Sequence, residues 1–100
     1  MILYTVYITV PNELESELAK YMCDKHIPDV MATGRFVKAE FSKSDEGGFR
    51  TSYTAADRTS LELYLKHDTE RLREAFAREF PYKVSAKREV WESICTVPGD

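Results

Sequence analysis

The stretch Ile2–Val10 constrains the fold more than any other part of the chain. It reads Ile-Leu-Tyr-Thr-Val-Tyr-Ile-Thr-Val, β-branched or aromatic at nearly every position, and Pro11 stops it. Such side chains fit a pleated strand and lose rotamer freedom in a helix. Alternation then gives it two faces, one with Ile2, Tyr4, Val6, Ile8 and Val10, the other with Leu3, Thr5, Tyr7 and Thr9. Around this strand, 100 residues make one domain, 1–100, large enough to bury about two-thirds of its unfolded surface in an ordinary core.

After Pro11 the period changes. Asn12 is an N-cap candidate, and Glu13, Glu15 and Glu17 suit a helix N-terminus. Leu14, Leu18, Tyr21 and Met22 recur at helical spacing, and Ile27, preceding Pro28, predicts a helix end near Lys25 or His26. Arg35 to Lys43 alternates again, "SDEGG" supplies turn chemistry, and Phe49 to Ala55 completes a hairpin. Asp57 or Thr59 caps a helix with a stripe of Leu61, Tyr64, Leu65, Leu72, Phe76 and Phe80, which Pro81 ends. Whether residues 58–80 form one helix or two turns on Asp68, a carboxylate on the apolar side. A last strand runs from Val84 to Ile94. The fold class is α+β: a ferredoxin-like βαββαβ unit on an antiparallel sheet.

The sheet's two faces differ. Ile2, Tyr4, Val6, Ile8, Val37, Ala39, Phe41, Val84, Ala86 and Val90 suit packing beneath helices. Leu3, Tyr7, Phe36 and Trp91 mix with Lys38, Glu40, Arg50, Lys87 and Glu89 on the other. That second face is too aromatic to stay bare and too charged for an inner core. The expected partner is therefore the chain itself, a homodimer through the face of Tyr7, Phe36 and Trp91. A half-solvated antiparallel face is the alternative.

Other classes recede. The net charge of −3 and the absence of a basic cluster exclude a nucleic-acid surface. Arg71, Arg73 and Arg78 alternate with Glu70, Glu74 and Glu79 as a solvated helix face would. Cys23 and Cys95 lack redox or metal spacing and read as reduced, small apolar residues. No metal and no cofactor is expected, since His26 and His67 cannot make a three-histidine site within one chain. No stretch is long enough to cross a membrane, and the first residues lack the basic start of a signal peptide, so the expected location is cytoplasmic. Phosphate loops, nucleophile elbows and two-histidine metal helices are absent.

The chemistry-bearing residues fall into two groups. His26, followed by Asp29, is a proton shuttle or pocket ligand, or else a cation at a helix C-terminus. Pro28, Asp29 and Gly34 are normal turn chemistry, while Arg35, at a strand entrance, could bind an anion or pair with Asp29. Tyr64, His67, Asp68 and Arg71 form the second group, with Asp68 either an N-cap or a group facing a cleft. Tyr4, Tyr53 and Arg88 fall on the helix-facing side of their strands and could supply the same cleft. The candidate ligand-binding residues are thus His26, Arg35, Tyr53, Tyr64, His67, Arg71 and Arg88.

The segments "HIPDVMATGRF", "EGGFRTSYTA" and "YLKHDTERLREAF" resemble a small bacterial family of proteins of unknown function, with "HIPDVLATGKF"-type and "RLRE"-type signatures. The resemblance runs from Ile2 to Ile94 and implies the dimeric α/β-barrel superfamily, in which ferredoxin-like protomers pair sheet against sheet. Relatives there include monooxygenases, haem-degrading enzymes, isomerases and regulatory modules; the haem-degrading ones would make His67 an axial-ligand candidate. Fold transfers on such a likeness far better than activity. Three functions follow: a small-molecule-binding homodimer with a pocket between helices and sheet, lined by His26, Tyr53, His67 and Arg88; a non-catalytic protein-interaction module; or a cofactor-independent isomerase or monooxygenase. In the last, His26 would be the base and Arg35 or Arg71 would steady an anion.

Overall fold

A computed structural model describes residues 1–81 and 84–100. The four strands are β1 (Ile2–Thr9), β2 (Lys38–Lys43), β3 (Phe49–Ala55) and β4 (Ser85–Glu92). They form one sheet in the order β2-β3-β1-β4, with every neighbour antiparallel. The helices are α1 (Glu15–Tyr21), α2 (Ile27–Met31), α3 (Arg58–His67) and α4 (Thr69–Glu79). The architecture is ferredoxin-like α+β, as expected, with the first helical connection of the βαββαβ unit carrying a π turn between α1 and α2 and the second divided into α3 and α4.

The first connection does not end at Pro28. Between α1 and α2 a π-helical turn, Met22–His26, keeps the chain helical as far as Met31, and the Ile27 amide donates to the Met22 carbonyl. Proline 28 offers no N–H to the carbonyl of Asp24, and its ring crowds that carbonyl. The widened turn just before it absorbs the defect. His26 therefore sits inside a helical segment rather than at its end, which removes the C-terminal cap reading. Gly34 does close the segment: its N–H donates to Met31 O, at φ +75°. At the other end Asn12 opens a 3₁₀ turn, Asn12–Leu14, and its side chain caps nothing.

The second connection is two helices. Asp57 caps α3, its carboxylate accepting from the Ser60 amide at 2.8 Å. Asp68 separates α3 from α4 but does not cap α4 with its side chain. Of the predicted stripe, Leu61, Tyr64, Leu72 and Phe80 are buried and Leu65 is exposed. The expected solvated face of α4 is present, with Glu70, Arg71, Arg73, Glu74, Arg78 and Glu79 all exposed. Among the described residues, however, they form no i,i+4 pairs: Arg71 pairs with Asp68 and Arg73 reaches the Tyr4 hydroxyl.

The core lies between helices and sheet. Ile2, Tyr4, Val30, Phe36, Tyr53, Ala55, Leu61, Tyr64 and Leu72 pack together, and Ile8, Leu18, Met22, Phe49 and Phe80 form a second cluster beside them. Phe36 corrects the expected dimer face. It precedes β2, which starts only at Lys38, and turns inward to stack on Tyr4, leaving it 5% exposed, while Val37 points out. Four aromatic rings, Tyr4, Phe36, Tyr53 and Tyr64, thus meet, with Phe36 and Tyr64 edge to face at 4.8 Å. Such pairs add about 0.5–1.5 kcal/mol each beyond their burial.

The helices do not cover the whole sheet. Along β4 the inward-facing series Ala86, Arg88 and Val90 stands opposite Ile8, Val6 and Tyr4, yet all three are exposed. The expected burial of Val90 fails: it is 46% exposed. On the opposite side of the sheet Leu3, Tyr7 and Trp91 share the surface with charged residues, and Trp91 is 54% exposed. There the Lys87 hydrogen bond holds the Glu89 carboxyl below the usual carboxylate range, with the Tyr7 and Trp91 side chains adding to it. Cys23 and Cys95 are free and exposed rather than packed.

Candidate functional site

Where the helical layer stops short of β4, a cleft opens. Its floor is Tyr4, Val6 and Ile8 of β1 with Ala86 and Arg88 of β4; its walls are Met22 and His26 of the π turn and Leu72, Arg73 and Phe76 of α4. Tyr53, Tyr64 and Thr69 close the inner end. The enclosed volume is about 50 Å³.

Each polar group here is positioned by a local feature. The π turn carries His26 onto α4, where its ring meets Phe76 edge-on at 5.4 Å and Tyr21 at 6.1 Å. Burial pushes the His26 imidazole below its ordinary pKa; Asp29 opposes the shift, and the Arg88 charge adds to it. The imidazole is therefore neutral at pH 7. Arg73 extends from α4 to donate to Tyr4 Oη at 3.2 Å. Burial drives the Tyr64 phenol up to about 12 and the Tyr53 phenol higher still. Both phenols stay protonated, so each keeps an O–H to donate.

Four of the seven residues singled out by sequence, His26, Tyr53, Tyr64 and Arg88, line this cleft. The other three lie elsewhere. Arg35 and Arg71 share one carboxylate: Arg35 Nε donates to Asp68 Oδ2 and Arg71 NH2 to Asp68 Oδ1, both at 3.0 Å. Asp68 is thereby paired, and it ties the loop after α2 to the α3–α4 junction across 33 positions of sequence. Asp29, the partner expected for Arg35, instead pairs with Lys25 at 3.1 Å. His67 is exposed at the end of α3 and is absent from the cleft. Arg73 and Thr69 were missed. On α4, Arg73 looked like one more charge on a solvated face; the signal was Tyr4, whose hydroxyl on a core-facing strand position needs a partner.

A porphyrin does not suit this cleft. The enclosed volume is far too small, and His26 is wedged between aromatic rings. Among the described residues no group of histidine, cysteine and carboxylate side chains could hold a metal ion. Among the described residues, too, no helix is long and apolar enough to cross a membrane.

A family model described as a domain of unknown function, DUF4286, matches residues 1–94. Among curated proteins none matches. Several solved structures share the fold. One is SnoaB, a cofactor-independent oxygenase from Streptomyces nogalater, with a TM-score of 0.69 at 13% identity over 98% of this chain and 97% of its own. A monooxygenase from Streptomyces coelicolor, solved with nanaomycin D, aligns at 0.68 and 13% identity over 98% and 92%. A variant of MhuD with two manganese protoporphyrin IX molecules per active site gives 0.71 at 13% identity, over 99% and 100%. At these identities the likeness shows the fold.

Proposed function

The chain belongs to the DUF4286 family, and from that premise we propose that it is a small-molecule-binding protein, one domain per chain, acting as a homodimer. The ligand enters the cleft between helices and sheet. The observation that carries this reading is the convergence of His26, Tyr4, Tyr64, Arg73 and Arg88, from five separate elements, on one apolar cleft. A few polar groups set in apolar walls are what a small-molecule site needs. Neighbours of the same fold, solved with nanaomycin D or manganese protoporphyrin IX, lend it support. The second copy covers the Leu3, Tyr7 and Trp91 face, leaving the cleft on the far side of the sheet.

The test is a fragment screen followed by amide and side-chain NMR shifts. Fragments that move the His26, Tyr64 and Arg88 signals, and lose that effect in His26→Phe, support the site. A screen in which no fragment perturbs these residues overturns it.

A second reading has one observation in its favour, the neutral imidazole of His26 in an aromatic cleft. In that state it can accept a proton from a substrate O–H or C–H. With dioxygen as co-reactant this would be the chemistry of a cofactor-independent oxygenase, the description borne by the Streptomyces nogalater neighbour. Oxygen uptake that depends on His26 would favour it over binding alone.

A further inference from the structure

We infer that the ligand of this cleft carries an anionic head group of carboxylate size, received between Arg73 and Arg88. The inference rests on the cleft being a ligand site and adds the chemistry of what it takes. Nearly every polar group that lines the cleft can donate a hydrogen bond. Arg73 and Arg88 bring two positive charges, one from the helical wall and one from the sheet, and no carboxylate lines the space with them.

Neither guanidinium is neutralised elsewhere. Among the described residues no carboxylate lies within ion-pair distance of Arg73 or Arg88. Arg73 commits one N–H to Tyr4 Oη, leaving the rest of a five-donor fork open. Since that phenol oxygen already accepts from Arg73, its own proton is free to donate. The Tyr64 O–H is a further donor at the inner end. The nearest acidic residue on β4, Glu89, faces the opposite side of the sheet and is held by Lys87. Both guanidiniums are exposed and hydrated in the free protein. A neutral ligand would displace that water without offering a counter-charge, whereas a carboxylate replaces it with charge-assisted hydrogen bonds.

Size completes the argument. An enclosed volume of about 50 Å³ is well below the roughly 150 Å³ that holds a benzene ring. The closed part therefore admits a head group of a few heavy atoms. The rest of the ligand lies outward from Arg88 towards Val90, along the exposed side chains of β4. An acid with a flat apolar body matches both parts.

Calorimetry with 2-naphthoate and its uncharged counterpart 2-naphthamide tests this directly. Naphthoate should bind at least about tenfold more tightly than the amide. Arg88→Met, and separately Arg73→Met, should remove that preference while the amide's affinity stays as it was. Arg71→Ala, at the Asp68 cluster, should leave both affinities unchanged, and circular dichroism would establish that each variant is folded. Equal binding of acid and amide overturns the anionic head group and leaves the cleft as a ligand site. Failure of both compounds to bind the folded protein overturns the site itself.

Discussion

His26 is the residue whose meaning the fold changes most. Set against Phe76 and Tyr21, it is favoured as the neutral imidazole, because burial lowers its pKa below the ordinary value. The unfolded chain then binds a proton more readily than the folded one. Stability must therefore rise with pH through the window below about 6.5, and fall as acid is added until the folded-state pKa is reached. Urea midpoints should drop between about pH 7.5 and 5.5, and His26→Phe, which keeps the ring contacts, should flatten that slope. An unchanged slope in the variant would assign the pH dependence to other groups. Much at this scale was readable from residue types. Asp57 as a cap and Gly34 as a terminator follow from local chemistry, and alternation alone put Tyr4, Tyr53 and Arg88 on the helix side. The Arg35–Asp68–Arg71 pairing was not readable, because nothing local distinguishes Asp68 from Asp29 as a partner for Arg35.

At the level of elements, the order of strands and helices and the antiparallel sheet follow from period and punctuation. Two boundaries do not. Pro28 signals a helix end, yet the π turn before it absorbs the missing N–H and carries the helix past it, while His26 on that turn packs against Phe76 of α4. Phe36 obeys the side-chain packing of the core and not the alternation of the strand that follows. The β2–β3 hairpin offers a cleaner test of local cause. Gly47 and Gly48 both have positive φ, +95° and +88°. A Cβ on Gly47 meets nothing within 4 Å, whereas one on Gly48 would lie 3.3 Å from the Thr9 methyl and 3.5 Å from the Ile8 carbonyl oxygen. Alanine at either position incurs about 1–2 kcal/mol of backbone strain. Chemical denaturation should show Gly48→Ala as the more destabilised of the two, and equal losses would mean that the contact with β1 is relieved freely.

For the whole molecule, the consequential asymmetry is that only one face of the sheet has helices. Leu3, Tyr7 and Trp91 remain on the other, and the charges among them are of both signs. Trp91→Lys should shift the protein from dimer to monomer in sedimentation equilibrium without unfolding it, since the indole is already half exposed in one protomer. A wild-type protein that sediments as a monomer at high concentration would contradict the proposed assembly. The short helical layer has a different consequence, for divergence. Ala86 and Arg88 border the cleft, Val90 follows them on the same side of β4, and all three contribute little to the core. Exchanges at these three positions are thus insulated from foldability: a lineage can alter what it recognises along β4 while the aromatic interior beneath α3 and α4 stays as it is.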